Sequence, residues 1–355
     1  MTQAIGYAVH DAVSAAVPFV FERRLPGAGD IQIKISYCGV CHSDLHQARN
    51  DWGDSVYPVV PGHEIVGIVT AIGEGVTRFK VGDRAAVGCM VDSCLACDQC
   101  DKGEEQLCRK RATMTYNGTD RQTGERTLGG YSDHIVVREE FVLKVPDTLD
   151  FARVAPLLCA GITTYSPLKA WNVQPGSRVG VVGLGGLGHM AVKLAVGLGA
   201  DVTVITTSPG KEDDAMALGA RTVLVSADKA AMKVARSSFD LIIDTVPVAH
   251  DLSPYLNLLD IDGTIVLLGA IEPLPGFHAA MLVGGRKRVT GSMIGGIAET
   301  QELLDFCAAQ NILPETETIA MQDINGAWDR MAKSDVKYRF VIDMASLEKD
   351  GPATL

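Results

Sequence analysis

Residues 178–199 read RVGVVGLGGLGHMAVKLAVGLG. A short apolar strand, Arg178 to Gly183, runs into three glycines spaced G-x-G-x-x-G and then into the helical pattern HMAVKLAVGLG, the strand–turn–helix setting that a dinucleotide pyrophosphate requires. Glycine at these positions lets the backbone come close to the diphosphate, whose charge meets the positive end of the helix. Gly183, Gly185, Gly186, Leu187 and Gly188 are therefore the expected cofactor-binding positions. The bland alternative is a tight turn in a packed βα unit, and the surroundings weigh against it. Further short apolar strands are predicted at Asp201 to Thr206, Thr222 to Val225, Asp240 to Asp244, Gly263 to Leu268 and Val289 to Ser292, with helices between most of them. That alternation predicts a doubly wound parallel sheet of α/β class.

The end of the second strand decides which nicotinamide cofactor fits. An acidic residue there would bind the ribose hydroxyls of NAD. Here the chain reads Val204-Ile205-Thr206-Thr207-Ser208-Pro209-Gly210-Lys211, which offers hydroxyls and a cation instead. Thr207, Ser208 and Lys211 are expected to hold a 2′-phosphate, so NADP(H) is the expected cofactor. Ser208 capping a helix with Pro209 at its first position is a second good use of the same residues and is compatible with the first. Glu212, Asp213 and Asp214 follow closely and would repel a phosphate if they turned inward.

Outward from this core the chain changes character. At 355 residues it is too long for one core and suits two domains. The part before residue 156 is β-rich, with β-branched runs in IQIKISYCGV, EIVGIVTAIG and DHIVVREEFVLKVP broken by glycine-containing turns. An amphipathic stretch, Glu299 to Gln310, and a closing strand, Tyr338 to Met344, fit no further βαβ unit. They are assigned to the first domain, giving 1–155 with 295–355 beside 156–294. A formal net charge of −11 argues against a nucleic-acid binder, and the short run Arg286-Lys287-Arg288 is too small to change that. No stretch of eighteen apolar residues occurs, and MTQAIGYAVH lacks the basic and apolar regions of a secretion signal, so a cytoplasmic protein without membrane contact is expected.

Nine cysteines in such a chain belong in a reducing compartment, where clustered thiols more often bind metal than pair. Cys94, Cys97, Cys100 and Cys108 lie in CLACDQCDKGEEQLC, a loop short enough to fold four thiolates round one tetrahedral ion. Zinc fits best, and four thiolates leave no position for substrate, so the site holds structure; an iron–sulfur cluster or two disulfides are the alternatives. A second, scattered set comprises Cys41-His42-Ser43-Asp44-Leu45-His46, Gly62-His63-Glu64 and Cys159 in LLCAGITTY. Singly, each has an ordinary reading as a buried thiol, a core histidine or a surface carboxylate. Together, two thiolates and an imidazole supply three ligands and leave a fourth position open, as a catalytic zinc requires.

The segment GHEIVGIVTAIGEGV, residues 62–76, carries Gly62, His63, Glu64, Gly67, Gly73 and Val76 in the order of the zinc alcohol dehydrogenase signature. From about Tyr7 to Met344 the chain resembles the zinc-containing medium-chain alcohol dehydrogenases, most closely the cinnamyl-alcohol-dehydrogenase branch. The resemblance implies a GroES-like β-rich catalytic domain joined to a Rossmann domain. It implies that Cys41, His63 and Cys159 bind a catalytic zinc, with Glu64 as a conditional fourth ligand, and that the chain carries two zincs. It places Asp44 behind the histidine ligand, Ser43 on the substrate oxygen and His46 in a proton relay towards solvent. It puts Thr163 at the nicotinamide, Arg339 near the pyrophosphate and Ser292 among the cofactor contacts, and it lines the substrate pocket with Trp52, Met114 and Ile294.

Met114 stands where the family usually has an aromatic wall, which suggests aromatic or medium aliphatic aldehydes rather than cinnamyl substrates in particular. The implied activity is NADP(H)-dependent alcohol oxidation and aldehyde reduction by a homodimer, with reduction the working direction. Three rival readings make different demands on the sequence. A zinc-stabilised binding protein without catalysis predicts a broken ligand set, which is not found. A zinc-finger-like nucleic-acid module predicts a basic face, which the charge contradicts. An NAD-linked polyol dehydrogenase of the same superfamily predicts a carboxylate where Cys159 stands.

Overall fold

A computed structural model describes residues 1–269 and 272–349. The end of the range assigned above to the first domain, 350–355, lies outside the described residues. The chain forms two compact units, one of residues 160–294 and one of residues 1–159 with 295–355.

The unit 160–294 is a six-stranded sheet, all parallel, in the order Thr222–Val225, Asp201–Thr206, Arg178–Val182, Phe239–Asp244, Leu259–Leu267, Arg288–Gly291. The strands are near-continuous apolar runs because helices cover the sheet, which is how a parallel sheet buries both faces. Val179, Val181, Val204, Ile242, Ile243, Ile265 and Val266 are fully buried. The chain winds from Arg178–Val182 out to one edge and then returns to fill the other side. The order therefore reverses between Arg178–Val182 and Phe239–Asp244. Strand five starts at Leu259, four residues before its apolar run at Gly263, because the register shifts by a bulge between Phe239 and Leu241. The polar residues Asp260 and Asp262 lie in that bulged stretch, where Asp260 accepts from Arg178 and Asp262 from Arg286.

The other unit is built on a seven-stranded sheet ordered Thr316–Ala320, Arg339–Asp343, Asp30–Val40, Ile65–Ile72, Arg84–Val87, Leu143–Lys144, with His134–Arg138 also on Asp30–Val40. Asp30–Val40 is eleven residues long, and it pairs with His134–Arg138 along its first half and with Arg339–Asp343 along its second. Its last residues thus enter the centre of the unit. Helix Ile297–Gln310 fastens to the sheet edge through Gln301, which bonds the backbone of Lys144 in both directions.

Candidate active site

Cys41 follows directly on strand Asp30–Val40 and begins helix His42–Arg49, so the end of a buried strand and the start of a helix fix its thiol. Asp44, three residues on and fully buried, accepts four hydrogen bonds. Its Oδ2 takes the Cys41 N–H at 2.8 Å and the Tyr131 hydroxyl at 3.1 Å, and its Oδ1 takes the Gly62 N–H and His63 Nδ1, both at 3.0 Å. One carboxylate therefore ties together two ligand-bearing segments. With Nδ1 committed to Asp44, the ring presents Nε2 as its free lone pair, the tautomer a metal needs.

Cys159 comes from 118 residues further along, at the end of the turn Ala155–Leu158, and its sulfur stands 3.8 Å from that of Cys41. Cys41, His63, Glu64 and Cys159 are all buried and offer ligand atoms within 4.8 Å of one another. The Cys159 thiol, and then His63 and Arg339, hold the Cys41 thiol well below its usual range. Burial alone would lower His63, but Asp44 outweighs it and raises the ring. Burial pushes the Glu64 carboxyl up to about 7, against the pull of Arg339. The thiols of Cys41, Cys89 and Cys159 and the carboxyls of Asp44 and Glu64 thus crowd one space beside Arg339, and Glu64 Oε2 is buried without a partner among the described residues. A divalent ion would supply the missing charge, and the nitrogen–sulfur donor set suits zinc.

Glu64 has a built seat. Its Oε1 accepts from Arg339 Nη2, and its backbone carbonyl accepts from Gly39 N–H at 2.9 Å. A Cβ at position 39 would lie 1.9 Å from Glu64 Oε2 and 2.9 Å from Glu64 Cβ, so only glycine leaves room for the carboxylate. Gly39→Ala should overpack the seat at a cost of about 1–3 kcal/mol. A thermal melt should show Gly39→Ala several degrees below the parent, and most of the loss should vanish in the Glu64→Ala background. Equal losses in both backgrounds would show that something other than Glu64 needs the glycine.

Ser43 and His46 lie on the same helix, three residues apart. Ser43 Oγ is 3.6 Å from Cys41 Sγ, and His46 Nδ1 is 2.7 Å from Asp51 Oδ2 with the Trp52 ring at 5.7 Å. Asp51 escaped the sequence reading, as did Tyr131. The signal for Asp51 was Asn50, whose left-handed φ of 60° turns the chain back so that Asp51 meets His46. Met114 stands on the short ribbon of Met90–Asp92 and Thr113–Met114, 40% exposed. Arg339, expected at a pyrophosphate, is buried, engages Glu64 and leaves Nε unpartnered.

The second cluster is also assembled. Cys94, Cys97, Cys100 and Cys108 offer sulfurs within 4.8 Å of one another. The Cys97–Cys100 and Cys94–Cys100 separations of 3.6 and 3.9 Å are those of neighbouring thiols around a centre, far from the roughly 2.05 Å of a disulfide. Backbone N–H groups of Cys94 and Arg109 donate to Cys108 and Cys97 sulfurs, both at 3.4 Å. The Cys100 N–H is the chief cause that brings the Cys97 thiol down to about 6. Glu105, inside the loop, accepts the Ile297 N–H at 3.0 Å and so ties it to the start of helix Ile297–Gln310.

In the unit 160–294 the glycine run turns as its spacing requires. Gly183 has φ +88°, and a Cβ on Gly188 would lie 2.1 Å from Gly183 O, whereas Gly185 has open space beside it. Lys211 Nζ donates to Leu184 O at 3.2 Å, which places a cation on this loop. Thr207 and Ser208 are exposed, and Ser208 stands at the start of the turn Pro209–Lys211 without capping it through its side chain. Glu212 and Asp213 are exposed in the first turn of helix Glu212–Ala217, where negative charge suits the helix dipole. Thr163 is buried on helix Ala160–Ala170, Ser292 donates its N–H to Leu267 O at 3.3 Å, and Ile294 is half-buried with φ 39°.

Residues 27–147 match the family of alcohol dehydrogenase GroES-like domains, and residues 186–309 match the zinc-binding dehydrogenases. The NADP-dependent alcohol dehydrogenase C of Mycobacterium bovis is 49% identical over 350 residues, 98% of this chain and all of the relative. The cinnamyl alcohol dehydrogenase of Sorghum bicolor superposes with a TM-score of 0.94 at 47% identity, covering 97% of this chain and 98% of that one. The Helicobacter pylori CAD solved in complex with NADP(H) gives 0.91 at 42% identity, covering 97% and 99%.

Proposed function

The chain belongs to the zinc-binding alcohol dehydrogenases, and on that premise we propose which of its residues carry an NADP(H)-dependent hydride transfer between an alcohol and its aldehyde. The observation that carries the reading is the meeting of Cys41, His63, Glu64 and Cys159, four buried donors within 4.8 Å. Cys41, His63 and Cys159 would hold a catalytic zinc and Glu64 would join it conditionally. When bound, the metal supplies Lewis-acid polarisation of the substrate oxygen and the cofactor supplies the hydride. Asp44 fixes the His63 tautomer. Ser43, beside Cys41, hands its hydroxyl proton to the substrate oxygen in the reductive direction. His46, its Nδ1 engaged by Asp51, turns Nε2 towards the relay and replaces that proton from solvent. Trp52, beside His46, supports an apolar substrate face, with Met114 and Ile294 as its further proposed members and aromatic or medium aliphatic aldehydes as its occupants.

The four-cysteine cluster would take the second zinc. Thr207, Ser208 and Lys211 would hold the 2′-phosphate, Gly183, Gly185, Gly186, Leu187 and Gly188 the pyrophosphate, assisted by Arg339, with Thr163 and Ser292 towards the nicotinamide. The nine cysteines are free thiols and no helix among the described residues is long and apolar enough to cross a membrane, which supports a reducing, cytoplasmic setting. A homodimer is supported by the outer strand Arg288–Gly291, which has a neighbour on one side only, and by Val283, 78% exposed.

Purified protein should hold two zincs per chain, sediment as a dimer and oxidise NADPH with an aromatic aldehyde far faster than NADH. Equal rates with the two cofactors would sink the 2′-phosphate assignment. Lys211→Met should then lower kcat/KM for NADPH about 10- to 100-fold, the worth of a hydrogen bond to a charged group, while the small rate with NADH stays within about twofold.

A further inference from the structure

In an open sheet of this kind a ligand lies outside the carboxyl ends of the strands, where the strand order reverses. Here that point falls between Arg178–Val182 and Phe239–Asp244. The loop after the first strand is the glycine run. The loop after the second, Thr245 to Asp251, has no part in the function described above, yet the buried Asp244 and the half-buried His250 fix its shape.

Asp244, 1% exposed, accepts the Val246 N–H on Oδ1 at 3.1 Å, and its Oδ2 lies 2.8 Å from His250 Nε2. His250 Nδ1 lies 2.8 Å from Val248 O. Both partners of the ring are acceptors. A neutral imidazole has one N–H and satisfies only one of them, so the arrangement needs a proton on each ring nitrogen, or one on the carboxyl. Burial raises the Asp244 carboxyl, which keeps a proton within the pair's reach.

The clamped turn presses on the glycine loop. Thr245 donates its N–H and its hydroxyl to Val182 O at 3.1 and 2.8 Å. A Cβ on Gly183 would stand 2.9 Å from Thr245 Oγ1, and one on Gly188 would stand 3.3 Å from it. Moving the turn therefore moves the phosphate cradle. Other groups around the ring are Asp251, next in the chain, Tyr255, whose ring packs edge-on at 6.0 Å, and Glu272, whose Oε2 accepts the Ala249 N–H at 2.7 Å.

We propose that His250 is a positioning residue for NADP(H): its ring, bridging Asp244 and Val248, holds the turn that begins at Thr245 against the glycine loop and so sets cofactor affinity. The proposal rests on the glycine loop being the cofactor site. Removing the ring breaks both of its contacts, to Asp244 Oδ2 and to Val248 O, and leaves the turn free to move away from the glycine loop.

The test is the NADPH Kd of the zinc-loaded enzyme, followed by cofactor fluorescence. The His250→Gln Kd should exceed the parent Kd about tenfold, the worth of one charge-assisted bond. In steady state the loss should fall on KM for NADPH rather than on kcat. Asp244→Asn, which leaves a neutral acceptor in place, should weaken NADPH binding in the same way and serves if His250→Gln does not fold. A Kd within about twofold of the parent in the folded variants, or a loss that falls on kcat with KM unchanged, overturns the assignment to His250. Failure of the parent to bind NADPH at all would instead overturn the reading of the glycine loop.

Discussion

Cys159→Ala is expected to give a folded chain that retains one zinc, still binds NADPH and has lost turnover by a factor of about a thousand or more. Several kcal/mol of transition-state stabilisation are at stake in a Lewis-acid metal, and each 1.36 kcal/mol is tenfold in rate. Cys159 Sγ lies 3.8 Å from Cys41 Sγ and is the first cause of the depressed Cys41 thiol, so its removal would take one proposed ligand away and return the other towards its protonated, weakly binding form. His63 and Glu64 are held by Asp44 and Arg339, in bonds that do not involve Cys159, which is why the fold should survive. The four-cysteine loop and the glycine run share no residue with this set. Zinc content, a thermal melt and NADPH fluorescence on one preparation separate these effects. An active variant holding two zincs would remove Cys159 from the catalytic ligands.

What the sequence made legible divides along a physical line between local and non-local determinants. The parallel sheet was readable because each strand is an apolar run of its own and the glycine run fixes the first turn, both properties of neighbouring residues. The gathering of the four cysteines was readable because all four thiols lie within one loop. By contrast nothing near Cys159 points to Cys41, 118 residues away. Only the order of strands Asp30–Val40 and Ile65–Ile72 and the turn Ala155–Leu158 brings them together, and the family resemblance had to stand in for that knowledge. Gly39 and Arg339 show the same limit, since their shared partner Glu64 is distant from both in sequence. Asp51 and the Asp244–His250 pair were missed although they are local. A carboxylate five or six residues from a histidine signals nothing until a left-handed residue or a strand end folds the chain back.

The opposite phenotype is expected of Cys100→Ser. Cys100 sits between Cys94 and Cys97 at 3.9 and 3.6 Å, with Ser93 Oγ at 3.2 Å from its sulfur. The loop around it has little else to order it. Its regular structure is two three-residue turns, Cys100–Lys102 and Glu105–Leu107, and of its two leucines Leu95 is only half-buried and Leu107 is 51% exposed. Without a hydrophobic core, such a segment would keep its shape through the proposed metal, whose binding free energy would become folding free energy. Its loosening should reach helix Ile297–Gln310 through the Glu105 bond to Ile297 N–H, and from there the Lys144 edge of the sheet through Gln301. We expect Cys100→Ser to retain one zinc and to melt about 10 °C lower, from a loss of a few kcal/mol at about 2–4 °C each. Turnover per folded molecule in the cold should stay within about threefold of the parent, because Cys41, His63 and Cys159 are untouched. Preincubating the parent with a chelator should reproduce this fall in melting temperature. Should Cys100→Ser lose turnover at unchanged stability while Cys159→Ala melts early and stays active, the proposed division between a metal that holds a loop and a metal that serves catalysis would have to be reversed.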